Sequence, residues 1–226
     1  MNNIAIILCA GNGTRMKSDK SKLLLEICGK TVVERTVETF SDIDEVNKII
    51  IVCRESDYKD FQSVLSAYDV SYCFGGATRQ ASVMNALATI DDCDLLLIHD
   101  GARPLITKSE IHSAIAVAKE KGAAAVGVPV KDTIKIVDKD LKIVDTPDRS
   151  KLISIRTPQI FDFDLYCECA KLAQSQGNDF TDDCKLIENC GKDVFVVVGD
   201  YGNIKITTPE DIAVAENIIK SRGEAL

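Results

Sequence analysis

Short apolar runs alternate with amphipathic stretches along almost the whole chain. Residues 4–9, 48–53, 70–74, 94–98 and 123–128 are apolar runs of strand length. The stretches at 31–40, 56–68, 78–90 and 107–121 repeat their apolar residues at helical spacing instead. The last of these opens on Thr107 with Glu110 three residues on, the spacing at which each side chain reaches the other's backbone N–H. Strand and helix in alternation predict an α/β fold of Rossmann-like type, a mostly parallel sheet covered by helices on both faces. The ends of such strands line up along one edge, where ligands bind.

The pattern breaks after Pro129. Residues 133–137 and 142–145 are strand-like, a turn at 138–140 separates them, and no helix intervenes. This predicts a β-arm at about residues 133–156 projecting from the sheet. A two-stranded ribbon needs something to pack on, and a partner subunit is one candidate. Helices are expected at 163–176 and 181–188, then a strand at 194–198 and a strand-like segment at 203–206. A closing helix starts at Pro209, with Thr208 as its cap and Pro209 in the first helical position. No linker rich in Pro, Gly or Ser interrupts this, so residues 1–226 read as one domain.

Charge narrows the partners. Lys+Arg number 27 against Asp+Glu 35, a net charge of -8, which disfavours nucleic acid and anionic membranes as general partners. A polyanionic substrate then requires a local basic pocket in an acidic body. Nine cysteines, two histidines and no Cys-x-x-Cys spacing argue against a metal cluster. They read as reduced thiols of a cytoplasmic protein. No apolar segment approaches the length of a membrane span, and the expectation is a protein neither exported nor inserted.

Several turns carry candidate chemistry. Ala10-Gly11-Asn12-Gly13-Thr14-Arg15-Met16 follows the first strand, where paired glycines let backbone amides approach a phosphate chain and Arg15 adds charge. A plain strand-to-loop turn explains the same glycines equally well. The dinucleotide fingerprint fails because Met16 stands where its third glycine belongs, and the P-loop fails because Leu24 stands at its first. Lys22 on its own reads as solvated surface. Gly75-Gly76-Ala77-Thr78-Arg79-Gln80-Ala81-Ser82 offers a helix N-terminus to a base carbonyl or a phosphate, or is an ordinary glycine turn capped by Thr78. Asp100, in His99-Asp100-Gly101-Ala102-Arg103-Pro104, is placed at a strand end to hold Mg²⁺ or a ribose hydroxyl. A structural pair with Arg103 accounts for the spacing too. His99 is a possible base by type, but a lone His beside a strand is more often structural. Lys205 on its own passes as an exposed strand residue.

Taken in order, these segments resemble the methylerythritol phosphate cytidylyltransferases of the non-mevalonate isoprenoid pathway. The likeness runs from Ile4 to about Ile219. It adds Val130-Lys131-Asp132-Thr133, Asp148-Arg149, Arg156-Thr157-Pro158-Gln159, Thr181-Asp182-Asp183 and Asn203-Ile204-Lys205 to the blocks already quoted. No single block is decisive, whereas the collinear series is specific.

The resemblance implies a homodimeric enzyme that uses CTP, a small sugar or polyol phosphate and Mg²⁺ or another divalent cation. It places Gly11, Gly13, Arg15 and Lys22 on the triphosphate, and Ala10, Gly76 and Ser82 on the cytosine. Asp100 falls by the ribose and the metal. Arg103, Thr157, Thr181 and Lys205 fall at the acceptor, joined by Thr133 and Arg149 from the other subunit's arm. Arg15, Lys22 and Lys205 are the catalytic cations. The family usually has Pro-Lys-Gln at Ser21-Lys22-Leu23, which predicts a less rigid loop here. It often has an acidic residue at Ala77 and a glutamate at Asp183, so side-chain contacts there are expected to differ. Attack by a phosphate monoester needs no general base, because its second pKa lies near ~6. The rival acceptor is ribitol 5-phosphate. An NAD(P)-dependent oxidoreductase fits the alternation but lacks the third glycine, and a catalytically dead nucleotide-binding module is opposed by Lys22, Asp100 and Lys205.

Overall fold

The computed structural model describes residues 2–11 and 21–223. Asn3–Leu8 (β1) is followed by a small hairpin of Glu26–Ile27 (β2) and Lys30–Thr31 (β3). Helix Val32–Ser41 (α1) starts at a Thr31–Glu34 capping box. Lys48–Cys53 (β4), Tyr58–Val64 (α2), Val70–Phe74 (β5), Arg79–Leu87 (α3), Leu95–Asp100 (β6), Lys108–Lys121 (α4) and Ala123–Pro129 (β7) follow in the expected alternation. The Thr107–Glu110 capping box is present, and Gly122 at φ 85° closes α4 in the left-handed conformation that glycine adopts without steric cost. Ile136–Val137 (β8) and Ile143–Asp145 (β9) form a separate ribbon. The chain then runs through Ile153–Asp162 (β10), Phe163–Ser175 (α5), Asp183–Asn189 (α6), Phe195–Val198 (β11) and Glu210–Ser221 (α7).

The main sheet has the order β11-β7-β10-β6-β1-β4-β5. Every pairing is parallel except those of β10, which lies antiparallel between β6 and β7. Strands covered on both faces can be apolar throughout, and alternate residues here serve opposite layers. Ala5, Ile7, Ile49, Ile51, Leu95 and Leu97 pack with α1, α4 and α7. Ile4, Ile6, Ile50, Val52, Leu96 and Ile98 pack with α3, α5 and α6. Both layers are buried, and they hold β1, β5 and β6 side by side or nearly so in one sheet.

Five expectations are corrected. The arm is shorter than 133–156, because Ile153–Asp162 is already a strand inside the main sheet. Its polar residues and Pro158 hide it as a sequence, and the ladder accommodates them by a register shift between Ile155 and Gln159. Proline has no N–H to give a ladder, so a shift is where a central strand tolerates it. The helix expected at 56–68 is a 3₁₀ turn, Glu55–Asp57, followed by α2, which ends at Val64. The one expected at 181–188 begins two residues late, because Asp182 caps Cys184 N–H at 2.7 Å. Among the described residues, 203–206 pair with no strand. The N-cap of helix α7 is Pro209, one residue later than expected and without a side-chain cap bond, and Asp211 in the first turn accepts instead from the N–H groups of Thr207 and Thr208 at 2.7 and 2.8 Å.

Candidate active site

A cavity of about 320 Å³ opens where β1, β5 and β6 end. Two glycines let its walls approach. A Cβ on Gly75 would lie 2.4 Å from the Cβ of Ala10, and one on Gly76 would lie 2.5 Å from that of Ala81. The turn is then held by Ser82, whose hydroxyl accepts from Gly76 N–H at 3.0 Å and donates to the Thr78 carbonyl at 2.9 Å. Thr78 caps α3 through Ala81 N–H.

A smaller cavity, of about 160 Å³, lies beside the first. Arg79, Asp100 and Lys205 line both. Asp100 is the centre of this wall: Lys205 Nζ lies 2.7 Å from its carboxylate, Arg103 Nε 3.7 Å and Arg79 Nε 4.0 Å. Burial pushes the Asp100 carboxyl up, but Lys205 and Arg79 outweigh it and hold the group below the usual carboxylate range. Asp100 is therefore an anion compensated three times over.

Its position is set from behind. Thr157 Oγ1 accepts from Asp100 N–H at 3.0 Å and so gives its own hydrogen to His99 Nδ1, 3.1 Å away. That assigns the His99 proton to Nε2, which donates to the Arg103 carbonyl at 3.2 Å. Burial pushes His99 down to about 4, so it is neutral near pH 7 and fully engaged, and the structural reading of this residue prevails over a base. Asn203 Nδ2 donates to the Thr157 carbonyl at 3.0 Å, and Arg103 Nη1 and Arg156 Nη1 both donate to the Asn203 carbonyl. Residues 203–206 thus act as a clasp rather than a strand. Ile206 N–H donates to Ala102, and the Ile206 carbonyl accepts from Lys22 Nζ at 2.6 Å. Ser21, where the family usually has proline, caps the 3₁₀ turn that carries Lys22.

Ala10, Gly11, Lys22, Gly76, Ser82, Asp100 and Lys205 line the larger cavity, as does Ala77. Arg103, Thr157 and Thr181 line the smaller one, with the Thr157 hydroxyl already engaged. Thr133 and Arg149 line neither: they stand on the arm, where Arg149 Nη1 donates to the Lys131 carbonyl at 2.6 Å. Gly13 and Arg15 lie outside the described residues. Among the described residues no group of three or more His, Cys, Asp or Glu gathers as a metal cage. Asp100 offers one carboxylate, which suits a cation held mainly by phosphates and water. Sequence reasoning missed Arg79 as a site residue, together with the Asp183, Tyr166 and Gln159 that back it. The motif containing Arg79 was visible, but its partner Asp183 lies 104 residues away.

A mostly parallel sheet with a glycine-walled cavity and a cation-ringed carboxylate at its strand ends defines a Rossmann-like nucleotidyltransferase. A family model described as "IspD: 2-C-methyl-D-erythritol 4-phosphate cytidylyltransferase" matches residues 3–221, and the chain belongs to that family. The 2-C-methyl-D-erythritol 4-phosphate cytidylyltransferase of Caldanaerobacter subterraneus subsp. tengcongensis is 45% identical over 97% of this chain and 100% of its own length. The protein of the same name from Alkaliphilus oremlandii is 42% identical over 97% and 95%. The crystal structure of 4-diphosphocytidyl-2C-methyl-D-erythritol synthase from Anaerococcus prevotii superposes with a TM-score of 0.87 at 34% identity, covering 97% of this chain and 96% of that one. No helix among the described residues is long and apolar enough to cross a membrane.

Proposed function

We propose that the chain transfers the cytidylyl group of CTP to the phosphate of 2-C-methyl-D-erythritol 4-phosphate. The observation that carries this reading is the wall shared by the two cavities, Arg79, Asp100 and Lys205. With CTP in the larger cavity and the acceptor in the smaller, the acceptor phosphate meets the α-phosphate along that wall. An acceptor oxygen forms a bond to the α-phosphorus while the bond to the β-phosphate oxygen breaks, and the electron pair leaves on pyrophosphate. The nucleophile is already ionised near neutral pH, so no base is required, and none is offered by the engaged His99.

The task left to the protein is electrostatic. Two polyanions must approach, and fixed cations at the shared wall stabilise the charge that develops there. Lys22 and Arg15 serve the triphosphate and Lys205 the reacting phosphates. Ala10, Gly76 and Ser82 frame the base, and Gly11 and Gly13 give the phosphates backbone N–H groups. Asp100 would hold Mg²⁺ or another divalent cation together with phosphate oxygens, and that cation supplies charge neutralisation and orientation of the triphosphate when bound. Arg103 and Thr181 face the acceptor, and Thr157 shapes its wall.

The arm completes the acceptor side from a second copy. Thr133 and Arg149 line neither cavity of their own chain, and the arm exposes Ile136, Leu141, Ile143 and Val144. In this reading residues 1–226 work as one nucleotidyltransferase unit in a homodimer. The relatives named above carry the methylerythritol name, and no observation favours ribitol 5-phosphate. Pyrophosphate release from CTP should proceed with methylerythritol phosphate and be far slower with ribitol 5-phosphate or with UTP as donor. No release with any acceptor ends the reading, and equal turnover with UTP removes the base readout.

A further inference from the structure

Arg79 opens helix α3 and is three-quarters buried, with 25% of its side chain exposed. Its Nη1 donates to Asp183 Oδ2 at 2.5 Å, and its Nε lies 4.0 Å from Asp100. Among the described residues no protein acceptor meets its Nη2. Asp183 is only 2% exposed and is fixed twice more. The fully buried Tyr166 donates to its Oδ1 at 2.8 Å, and Gln159 Oε1 accepts from its N–H at 3.2 Å. The α3 guanidinium is therefore clamped from α6, α5 and β10 and left with a free edge at the boundary of the two cavities.

A carboxylate this deeply buried is costly unless a cation answers it, so a purely structural pair is the competing explanation. Three features oppose it. Arg79 lines both cavities, whereas a counter-charge needs only to face Asp183. The clamp holds one terminal nitrogen and leaves the other available. Asp100, on the far side of the guanidinium, already has Lys205 at 2.7 Å and does not need a further cation at 4.0 Å.

We propose that Arg79 is a further catalytic residue, whose Nη2 donates to the phosphate oxygens of the reacting pair, and that Asp183 and Tyr166 are the positioning residues that aim it. This rests on the cytidylyl-transfer reading and adds a group to it. Guanidinium is suited to the place because its planar fork serves Asp183 and a phosphate oxygen from one group. The contact forms only where both substrates meet, so its loss falls on turnover rather than on CTP binding.

The test uses full-length Arg79→Gln, Arg79→Lys, Asp183→Asn and the double variant Arg79→Gln/Asp183→Asn. Pyrophosphate release is measured with CTP and methylerythritol phosphate, CTP affinity without acceptor, and thermal unfolding. Arg79→Gln should lower kcat about a hundredfold or more, the usual effect of losing one such donor, with CTP affinity within about threefold of wild type. Arg79→Lys should recover part of the loss. Asp183→Asn should lower kcat by about tenfold with unchanged CTP affinity, because Arg79 remains but is no longer aimed. The double variant removes both buried charges, so it should regain wild-type melting and remain slow. A double variant within about threefold of wild-type kcat would show that Arg79 only neutralises Asp183, and the proposal falls. Wild-type protein that releases no pyrophosphate overturns the cytidylyl-transfer reading and this proposal with it.

Discussion

In the cleft, Asp100 is ringed by Lys205, Arg103 and Arg79 and fixed from behind by Thr157 and His99. On the arm, every residue from 131 to 146 is exposed, and Leu141 keeps 80% of its surface in contact with solvent. The cleft is built of groups held to one another inside a single chain, with one edge of Arg79 left over. The arm, apart from its own short ladder and turn, satisfies little within this chain. A preorganised cleft loses function when one member is removed, because its remaining charges were arranged around that member. An exposed arm can change with little effect on folding, and in the proposed homodimer its contribution comes from contacts outside its own chain.

The largest effect should come from removing a cleft cation. Lys22→Ala and Lys205→Ala should each lower kcat by about 10²–10³, as loss of one transition-state donor does, with the fold intact. A loss below about threefold for either, at unchanged melting temperature, would show that its lysine does not act on the reacting phosphates. Lys205→Ala has a further consequence. With its nearest cation gone, Asp100 should titrate at higher pH than in wild type, which its carboxyl NMR signal would report.

Next in size is the buried histidine. His99 has a pKa near 6.5 when unfolded and about 4 when folded. Between these values the unfolded chain binds the extra proton, so stability is complete above about pH 6.5 and falls as pH drops toward 4. From about pH 7.5 to about pH 5 the single group should remove about 2 kcal/mol of unfolding free energy. Denaturant unfolding at the two pH values measures this, and His99→Gln should abolish its part of the slope. An unchanged slope in the variant would place the pH sensitivity elsewhere.

The smallest effect on stability should be on the arm. Ile143→Asp should change the unfolding free energy of the core by less than about 0.5 kcal/mol, the range for exposed sites, while weakening self-association in sedimentation. A large loss of core stability with no change in mass would mean that the arm packs on its own sheet.

Legibility in the sequence follows the same division. The strand at 48–53 was readable to the residue, because a strand buried on both faces is a clean apolar run, and the half-buried edge strand at 70–74 was readable from its β-branched and aromatic residues. Strand β10 was not, since Arg156, Thr157 and Gln159 line the site at a register shift and, with Pro158, break the apolar text. The arm was readable as a ribbon because its strands lack any helical spacing, but its end was placed late. Within the site, Asp100 was flagged by its place at a strand end and Lys22 and Lys205 only by the family resemblance, while the clamp on Arg79 was invisible. A sequence shows each member of such a network, and the long-range contact that joins Arg79 to Asp183 exists only in the fold.

The claim that cleft and arm from different copies build one site is tested most directly by subunit mixing. Lys22→Ala carries a damaged cleft and an intact arm, and Arg149→Ala carries the reverse. Each variant alone should be nearly inactive. Random exchange makes half of the dimers mixed, and each mixed dimer holds one site with both lesions and one with neither, so about a quarter of wild-type activity should return in a two-fold assembly. Exchange confirmed by mass with no activity regained would place Arg149 in the site of its own chain and contradict the account.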